Sequence, residues 1–438
     1  MALKFKISIC CADNLAAHEL LGLSTPASSH PCRFCSEKSD SIQENFEPVK
    51  QLYRTPENIL SNLKTFIALK SEFSNMNHCD GVKEAPMFKN FPELNDPFNF
   101  PSCISHDVFE KIIPDTLFSS MLRLKHERLI DMNLCIDKLM KFDLSSADRE
   151  NAFLVTTTRF SGSSGQLRTL MRLFKFILKS NIPFENDLCK GILLIHDIFL
   201  MINSPVFYKS WAPKFKKQIK ELIKFIRVDL NLSIYPKLHY LIHYPEQINL
   251  FGPLKNLSTD IFESVHKRFK AHLLPSSNHK NIIKTMFFGV SCELSYKLKF
   301  PQDFDKPIPS KNTNPFSVDK LPDKCQNKFN SNTLKAYRFV NYGSFVFKKN
   351  FFIAKKAEQK VYIFYKIIEI FSDEDENYFL QVSSEKFSYS AISGCYEYIG
   401  PAKCDQEVLT LFDAWHNPIE PYLDGNKFIL IPHFFHLN

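Results

Sequence analysis

The spacing of apolar and polar positions divides the chain into a helical body and a strand-rich C-terminal part. Residues 3–12 form a short apolar run closed by Asp13, which predicts a buried strand, and residues 14–21 then take a helical rhythm. Helical spacing returns over 56–72 and from about 108 to 140. It returns again over 165–180, 187–203 and 213–231, each closed by Asn, Pro or Gly. Two further helices are expected over about 258–273 and 281–298. HPCRFC at 30–35 reads as a turn, and 73–105, rich in Pro, Asn and Phe, as irregular chain. After Phe300 the character changes. Residues 301–331 hold many Pro, Asn, Lys and Asp and few aliphatics, the composition of a linker. From 334 onward, runs such as SFVFKKNFFIA, KVYIFYKIIEIF and NYFLQVSSE alternate with polar turns such as SDEDEN. They predict five or six strands curled into a small barrel.

Composition narrows the class. Hydrophobic residues make up 44% of the 438 and charged residues 23%, the balance of globular domains, which excludes disorder over most of the length. The run GILLIHDIFLMI at 191–202 is interrupted by His196 and Asp197 and falls short of the roughly 20 apolar residues a bilayer requires. The N-terminal run is too short for a signal-peptide core. A soluble, intracellular protein without a membrane partner is expected. The 12 cysteines are scattered, without the pattern of a small disulfide scaffold, which favours a reducing compartment. A net charge of +8 permits a polyanionic partner without requiring one.

Three constellations carry chemistry. Cys32 and Cys35, two residues apart, have the bite of a zinc knuckle and need two further ligands. Those are sought among His30, His78, Cys79, Cys103 and His106, with His106 favoured for its place beside Asp107 at the start of a helix. His239 and His243 share a helix face one turn apart, as metal ligands would; without a Glu beside the first His the metalloprotease reading fails. Their neighbours Tyr240 and Tyr244 favour a hydrogen-bonded structural pair. Third, Asp13 at a strand end and Glu263 on a helix, followed by His266 and the basic residues Lys267, Arg268 and Lys270, are residue types that hold Mg²⁺ in nucleic-acid hydrolases. Arg168, Arg172, Lys175 and Lys179 fall on one helix stripe. Lys209, Lys214, Lys216, Lys217, Lys220, Lys224 and Arg227 crowd another, and both stripes suit phosphates.

The order of the segments adds a resemblance. ADNLAAHELLGL at 12–23, HPCRFC, FPSCISHDVFEKIIP at 100–114, SGSSGQLRTLMRLFKFI at 161–177 and YPKLHYLIHYPEQINLFGPLKNLSTDIFESVHKRFK at 235–270 follow one another. The series resembles the animal CACTA (En/Spm-like) transposase-domain proteins over about residues 5–300. The chain departs from the family pattern at Ala12, at Ser102 to Ser105, and around Glu263, where the flanking Arg and Lys of the family are lost.

The resemblance implies an α/β and mainly α fold, with a partial RNase H-like core interrupted by a large helical insertion and followed by a small β-rich, barrel-like C-terminal domain. It divides the chain into 1–27, a core remnant; 28–234, the Cys-knuckle and helical insertion; 235–300, the core part bearing Glu263; the linker 301–331; and the β-rich domain 332–438. Asp13 and Glu263 would bind Mg²⁺ or Mn²⁺, and His266 would contact the scissile phosphate. Within the insertion the knuckle would hold a structural zinc, for which the residues themselves offer Cys32, Cys35 and His106. The basic stripes and the run after Glu263, read from the residues themselves, assign DNA contacts to Arg168, Arg172, Lys175, Lys267, Arg268 and Lys270. Transposon ends, a second copy of the chain and a protein partner for the C-terminal domain are the implied partners, and the nucleus the implied location. The family's first catalytic Asp belongs upstream of residue 1, so an N-terminally truncated, catalytically impaired transposase relative is expected. The alternative is a non-catalytic, zinc-stabilised DNA- or protein-binding protein domesticated from a transposon.

Overall fold

A computed structural model describes the chain except residues 1–8, 73–74, 89–90, 147, 261–268, 275–279, 301–305, 343–344, 359–360, 391, 403–405, 412–417, 425–426 and 433–438. The chain divides into two compact units, Met1–Phe142 with Asn151–Ser264, and Asp143–Glu150 with Val265–Asn438. The segments expected as 1–27, 28–234 apart from 143–150, and the beginning of 235–300 therefore share one unit.

The first unit is helical. Its elements are α1 (Asn14–Leu20), α2 (Pro56–Glu72), a π-helical turn (Ser105–Ile112) running into α3 (Ile113–His126), and α4 (Met132–Lys141). The hairpin β1 (Leu154–Val155) and β2 (Phe160–Ser161) precedes α5 (Ser164–Leu178) and α6 (Lys190–Ile202). Then come α7 (Ala212–Lys224), α8 (Pro236–Tyr240) and α9 (Tyr244–Phe251). Among the described residues of this unit, β1 and β2 are the only strands that pair into a sheet.

Helix α5 sits at the centre. Ser163 and Gln166 close its N-terminus as a reciprocal capping box, and nearly every residue from Leu167 to Leu178 is buried against α3, α4, α6 and the π turn. This corrects the reading of its cations. Arg172 is 5% exposed and Lys175 2%, because a helix apolar on all sides is enclosed by its neighbours and carries its charges inward. A face offered to DNA would require the opposite. Gly191 on α6 allows the next contact: a Cβ there would fall 2.2 Å from the Phe225 ring.

The strand expected over 3–12 is absent from its described part. Residues 9–12 run without a ladder, and Cys10 N donates to Asn99 O. Asp13 does not end a sheet strand. It is the N-cap of α1, its carboxylate accepting from Ala16 N at 2.7 Å, a position that Asp favours because the first turn of a helix leaves its N–H groups without partners.

The second unit holds a nine-stranded, curled antiparallel sheet. Its centre is the long hairpin β9 (Val361–Ser372) and β10 (Tyr378–Ser390), tied at the acidic turn by Asn377 N to Asp373 Oδ1. β8 (Phe352–Glu358) flanks β9, and β11 (Cys395–Pro401) flanks β10. Register shifts at Ala354, Gln381 and Lys386 are bulges that increase curl. Successive residues Phe352 and Ile353 enter different core clusters, so both faces of β8 are packed.

The expected linker also needs correction from residue 308 onward. β3 (Ile308–Pro309) pairs with β6 (Phe339–Tyr342), and β4 (Thr313–Ser317) with β5 (Thr333–Tyr337). Phe316, Val318, Leu321 and Cys325 are buried, with Phe316 stacked on Phe371 at 5.3 Å. A few well-spaced apolar residues suffice to hold a polar segment on a sheet edge. Among the described residues no helix is long and apolar enough to cross a membrane.

Gly22 links α1 to the turn at 79–84. Its φ is +70°, its carbonyl accepts from Lys83 N and Glu84 N, and a Cβ would fall 2.1 Å from Glu84 O. Gly22→Ala is expected to cost about 2 kcal/mol or more in urea unfolding, because it adds a clash to a backbone conformation that side chains disfavour. Gly400→Ala, with nothing within 4 Å of its Cβ, should be neutral.

Candidate metal centre

The knuckle is shaped by its own backbone. Phe34 N donates to Cys32 Sγ at 3.3 Å, and Cys35 makes an isolated bridge with Tyr53. Arg54, 2% exposed, reaches back so that Nε donates to both Cys32 O and Cys35 O at 3.1 Å. These bonds fix the bend that turns both sulfurs to one side.

Facing them are the two histidines. His239 is on α8, and His243 ends the 3-10 turn Leu241–His243 leading into α9. Cys35 Sγ lies 3.3 Å from His239 Nε2, and Cys32 Sγ 3.5 Å from His243 Nε2. All four ligand atoms fall within 4.8 Å of one another, and all four residues are buried. Ordinary Zn–S and Zn–N bonds in a tetrahedron place S and N about 3.5 Å apart, so the set needs little adjustment to accept zinc. Each His Nδ1 is buried without a hydrogen-bond partner. Packing therefore orients the rings: His243 lies against Phe34, Tyr53 and Phe98, and beside His239.

The electrostatics fit the same use. Burial opposes ionisation at Cys32, but a hydrogen bond from Cys35 and the facing imidazoles of His243 and His239 outweigh it and hold this thiol well below its ordinary range. Cys35 is pushed up, first by donating to Cys32 and then by burial. With four protein ligands and no open position, zinc here would be structural rather than catalytic.

A buried polar network surrounds the knuckle. Arg33, fully enclosed, donates from Nε to Phe100 O, from Nη1 to Asn14 Oδ1 at 2.6 Å and from Nη2 to Ser102 Oγ. Asn14 Nδ2 donates to Asp107 Oδ1 at 2.6 Å, and Tyr244 OH to Asp107 Oδ2 at 3.2 Å. Burial raises the Asp107 carboxyl, while Arg33 opposes that rise. Tyr240 OH donates to Pro31 O and meets His18 Nε2. His18 is lowered to about 4, chiefly by burial.

The other expected sites fare differently. His106 does not join the thiols. Its Nδ1 is 3.4 Å from Thr259 Oγ1, which lies 3.0 Å from Cys103 Sγ. The π turn that buries Asp107 aims His106 away from the knuckle. His30 packs edge-on to His78 and faces Asp80 at 3.6 Å. Cys79 and Cys103 likewise stand outside the four-residue group. Asp13 is exposed, and among the described residues it belongs to no group of three or more ligand-type side chains. Glu263, His266, Lys267 and Arg268 lie outside the described residues; Lys270 is exposed. Arg168 is committed to Asp260 and Ser105 and lies over the Phe109 ring. On α7, Lys214, Lys216, Lys217 and Lys220 stay exposed, with Asp197, Glu47 and Glu221 as surface partners.

No protein-family model matches this chain, and no curated protein matches it either.

The geometry predicts about one zinc per purified chain by elemental analysis. Cys32→Ser and His243→Ala should lose it, at a stability cost of about 4 kcal/mol where free zinc exceeds its dissociation constant a thousandfold. His106→Ala should keep it. Retention of zinc by Cys32→Ser and His243→Ala would show that the metal is held elsewhere.

Proposed function

We propose that the chain is a transposase-derived, zinc-stabilised DNA-binding protein that does not cleave DNA by itself. The observation that carries the reading is where the motif residues of the resemblance meet. Asn14, Arg33, Asp107, Tyr240 and Tyr244 come from four blocks, yet they are joined by hydrogen bonds and stacking around the Cys32, Cys35, His239 and His243 group. The motifs thus support a scaffold that a structural metal holds together. In this reading Asp13 and Glu263 descend from the Mg²⁺- or Mn²⁺-binding acids of an RNase H-like core. Asp13 now caps α1, and no cleavage step is derived from it.

The nucleic-acid face of this proposal is α7. Its lysines are exposed and supply the salt-sensitive attraction to phosphates that sequence-independent binding requires. In this reading Lys267, Arg268 and Lys270 are a second basic run in the sequence, suited to DNA in its own right. The C-terminal sheet is assigned to a protein partner, and the nucleus is the location that this role requires.

Filter retention of duplex DNA tests the proposal. Binding should weaken steeply with salt, and Lys217→Glu with Lys224→Glu should reduce the slope of log affinity against log salt by roughly 2, about one for each phosphate no longer neutralised. With Mg²⁺ or Mn²⁺ the chain should leave supercoiled DNA intact. Nicking that disappears in Asp13→Ala would overturn the non-catalytic part, and an unchanged salt slope would remove α7 from the interface.

A further inference from the structure

A cavity of about 230 Å³ lies in the first unit, between the start of α3 and the chain that follows α7. Both flanking elements carry a π-helical turn, Ser105–Ile112 ahead of α3 and Phe225–Asp229 behind α7. Such turns are rare and gather at functional sites. Ile226, Leu232 and the Tyr235 ring supply an apolar wall, and Asp115, Thr116 and Ser119 a polar one. Asp115 and Ser119 stand one turn apart on one face of α3. Thr116 is 1% exposed, and its hydroxyl is buried without a hydrogen-bond partner. The Asp115 carboxylate meets Lys111 Nζ at 3.1 Å and lies beside the Tyr235 hydroxyl. Apolar walls with a few convergent polar groups are the make-up of a ligand site.

We propose that this cavity binds a guanine ring. Its size suits one substituted ring, since a cavity of about 150 Å³ already holds benzene. Its charge suits a neutral ligand, because Lys111 balances Asp115 and leaves no net charge to hold a cation. The polar wall then selects among neutral rings. A carboxylate only accepts, at about four lone-pair positions, of which Lys111 takes one. Guanine offers it two adjacent donors, the ring N1–H and the exocyclic N2–H, and leaves O6 to accept from a hydroxyl such as that of Thr116 or Ser119. Adenine and cytosine lack the ring N–H at that edge, and thymine lacks the amine. The faces of the ring meet Ile226, Leu232 and Tyr235, the surroundings an unstacked base takes in a protein. Two sources carry this ring. One is a free nucleoside. The other is an unpaired guanine of DNA held by the α7 lysines, whose row ends at Lys224, just before the π turn that bears Ile226; this second source rests on the function proposed above.

Isothermal titration of the full, zinc-loaded chain with guanosine tests the cavity. A dissociation constant of about 100 µM is expected for a ligand of this size. Adenosine should bind at least roughly tenfold more weakly, and Asp115→Asn should weaken guanosine by at least roughly the same factor, because a site built to pair N–H groups rejects a mismatch. Zinc content and circular dichroism should stay unchanged in the variant. Duplexes carrying one unpaired G or one unpaired A separate the sources. A roughly tenfold preference for the unpaired G supports the site with DNA as the source. Guanosine binding without that preference supports it with the free nucleoside as the source. Guanosine binding by a chain that retains no DNA at all keeps the cavity and removes the DNA reading above. The proposal is overturned by no guanosine binding at about 2 mM together with no preference for unpaired G. Guanosine binding that a folded Asp115→Asn chain leaves unchanged overturns it too. If that variant misfolds, the wild type decides: equal affinity for guanosine and adenosine means no such site.

Discussion

The first unit depends on one long-range closure. Cys32 and His243 are 211 positions apart, and Cys35 and His239 are 204, yet their ligand atoms converge within a sphere the size of one metal ion and its bonds. Closing a loop of that length carries an entropic cost that rises only slowly with length, and a single cation gripped by four ligands offsets it at one point. Without the cation, two thiols and two imidazoles face one another in a buried site, where any thiolate that forms lacks a full counter-charge. That arrangement is unfavourable in a low-dielectric interior. Zinc held by both sulfurs would neutralise the two thiolates.

The layer around the closure explains why it can be buried. An enclosed guanidinium such as Arg33 is tolerable only with its donors satisfied and a counter-charge nearby. Phe100 O, Asn14 and Ser102 take the donors, and Asp107 is reached through Asn14. The network ties α1, the knuckle, the π turn and α9 to one another. Asp107, which sequence reasoning set beside a zinc ligand, is instead the anion of this network, and its neighbour His106 faces Thr259.

What could be seen in the sequence follows from what periodicity encodes. α2, α5, α6 and α7 have the apolar rhythm of helices, and β9 and β10 that of strands, so their existence and approximate ends were legible. So was the knuckle as a candidate, because two Cys at that spacing can grip one metal ion. Its partners were not, because the choice between His106 and the His239, His243 pair is decided by tertiary packing across two hundred residues. The i, i+4 spacing of that pair was the available clue. Arg172 and Lys175 show the converse failure: charge spacing along α5 was visible, but the helix's central position was not. The apolar run before Asp13 read as a strand, but length and composition alone cannot show whether such a run pairs, and its described residues 9–12 lead unpaired into a capped helix. Polar composition hid β4, whose burial rests on few side chains.

The most direct test of the closure is zinc K-edge X-ray absorption on the purified chain. A first shell of two sulfurs at about 2.3 Å and two imidazole nitrogens at about 2.0 Å is the predicted result. A shell of oxygen and nitrogen alone, or one with three or four sulfurs, would contradict a centre built from Cys32, Cys35, His239 and His243.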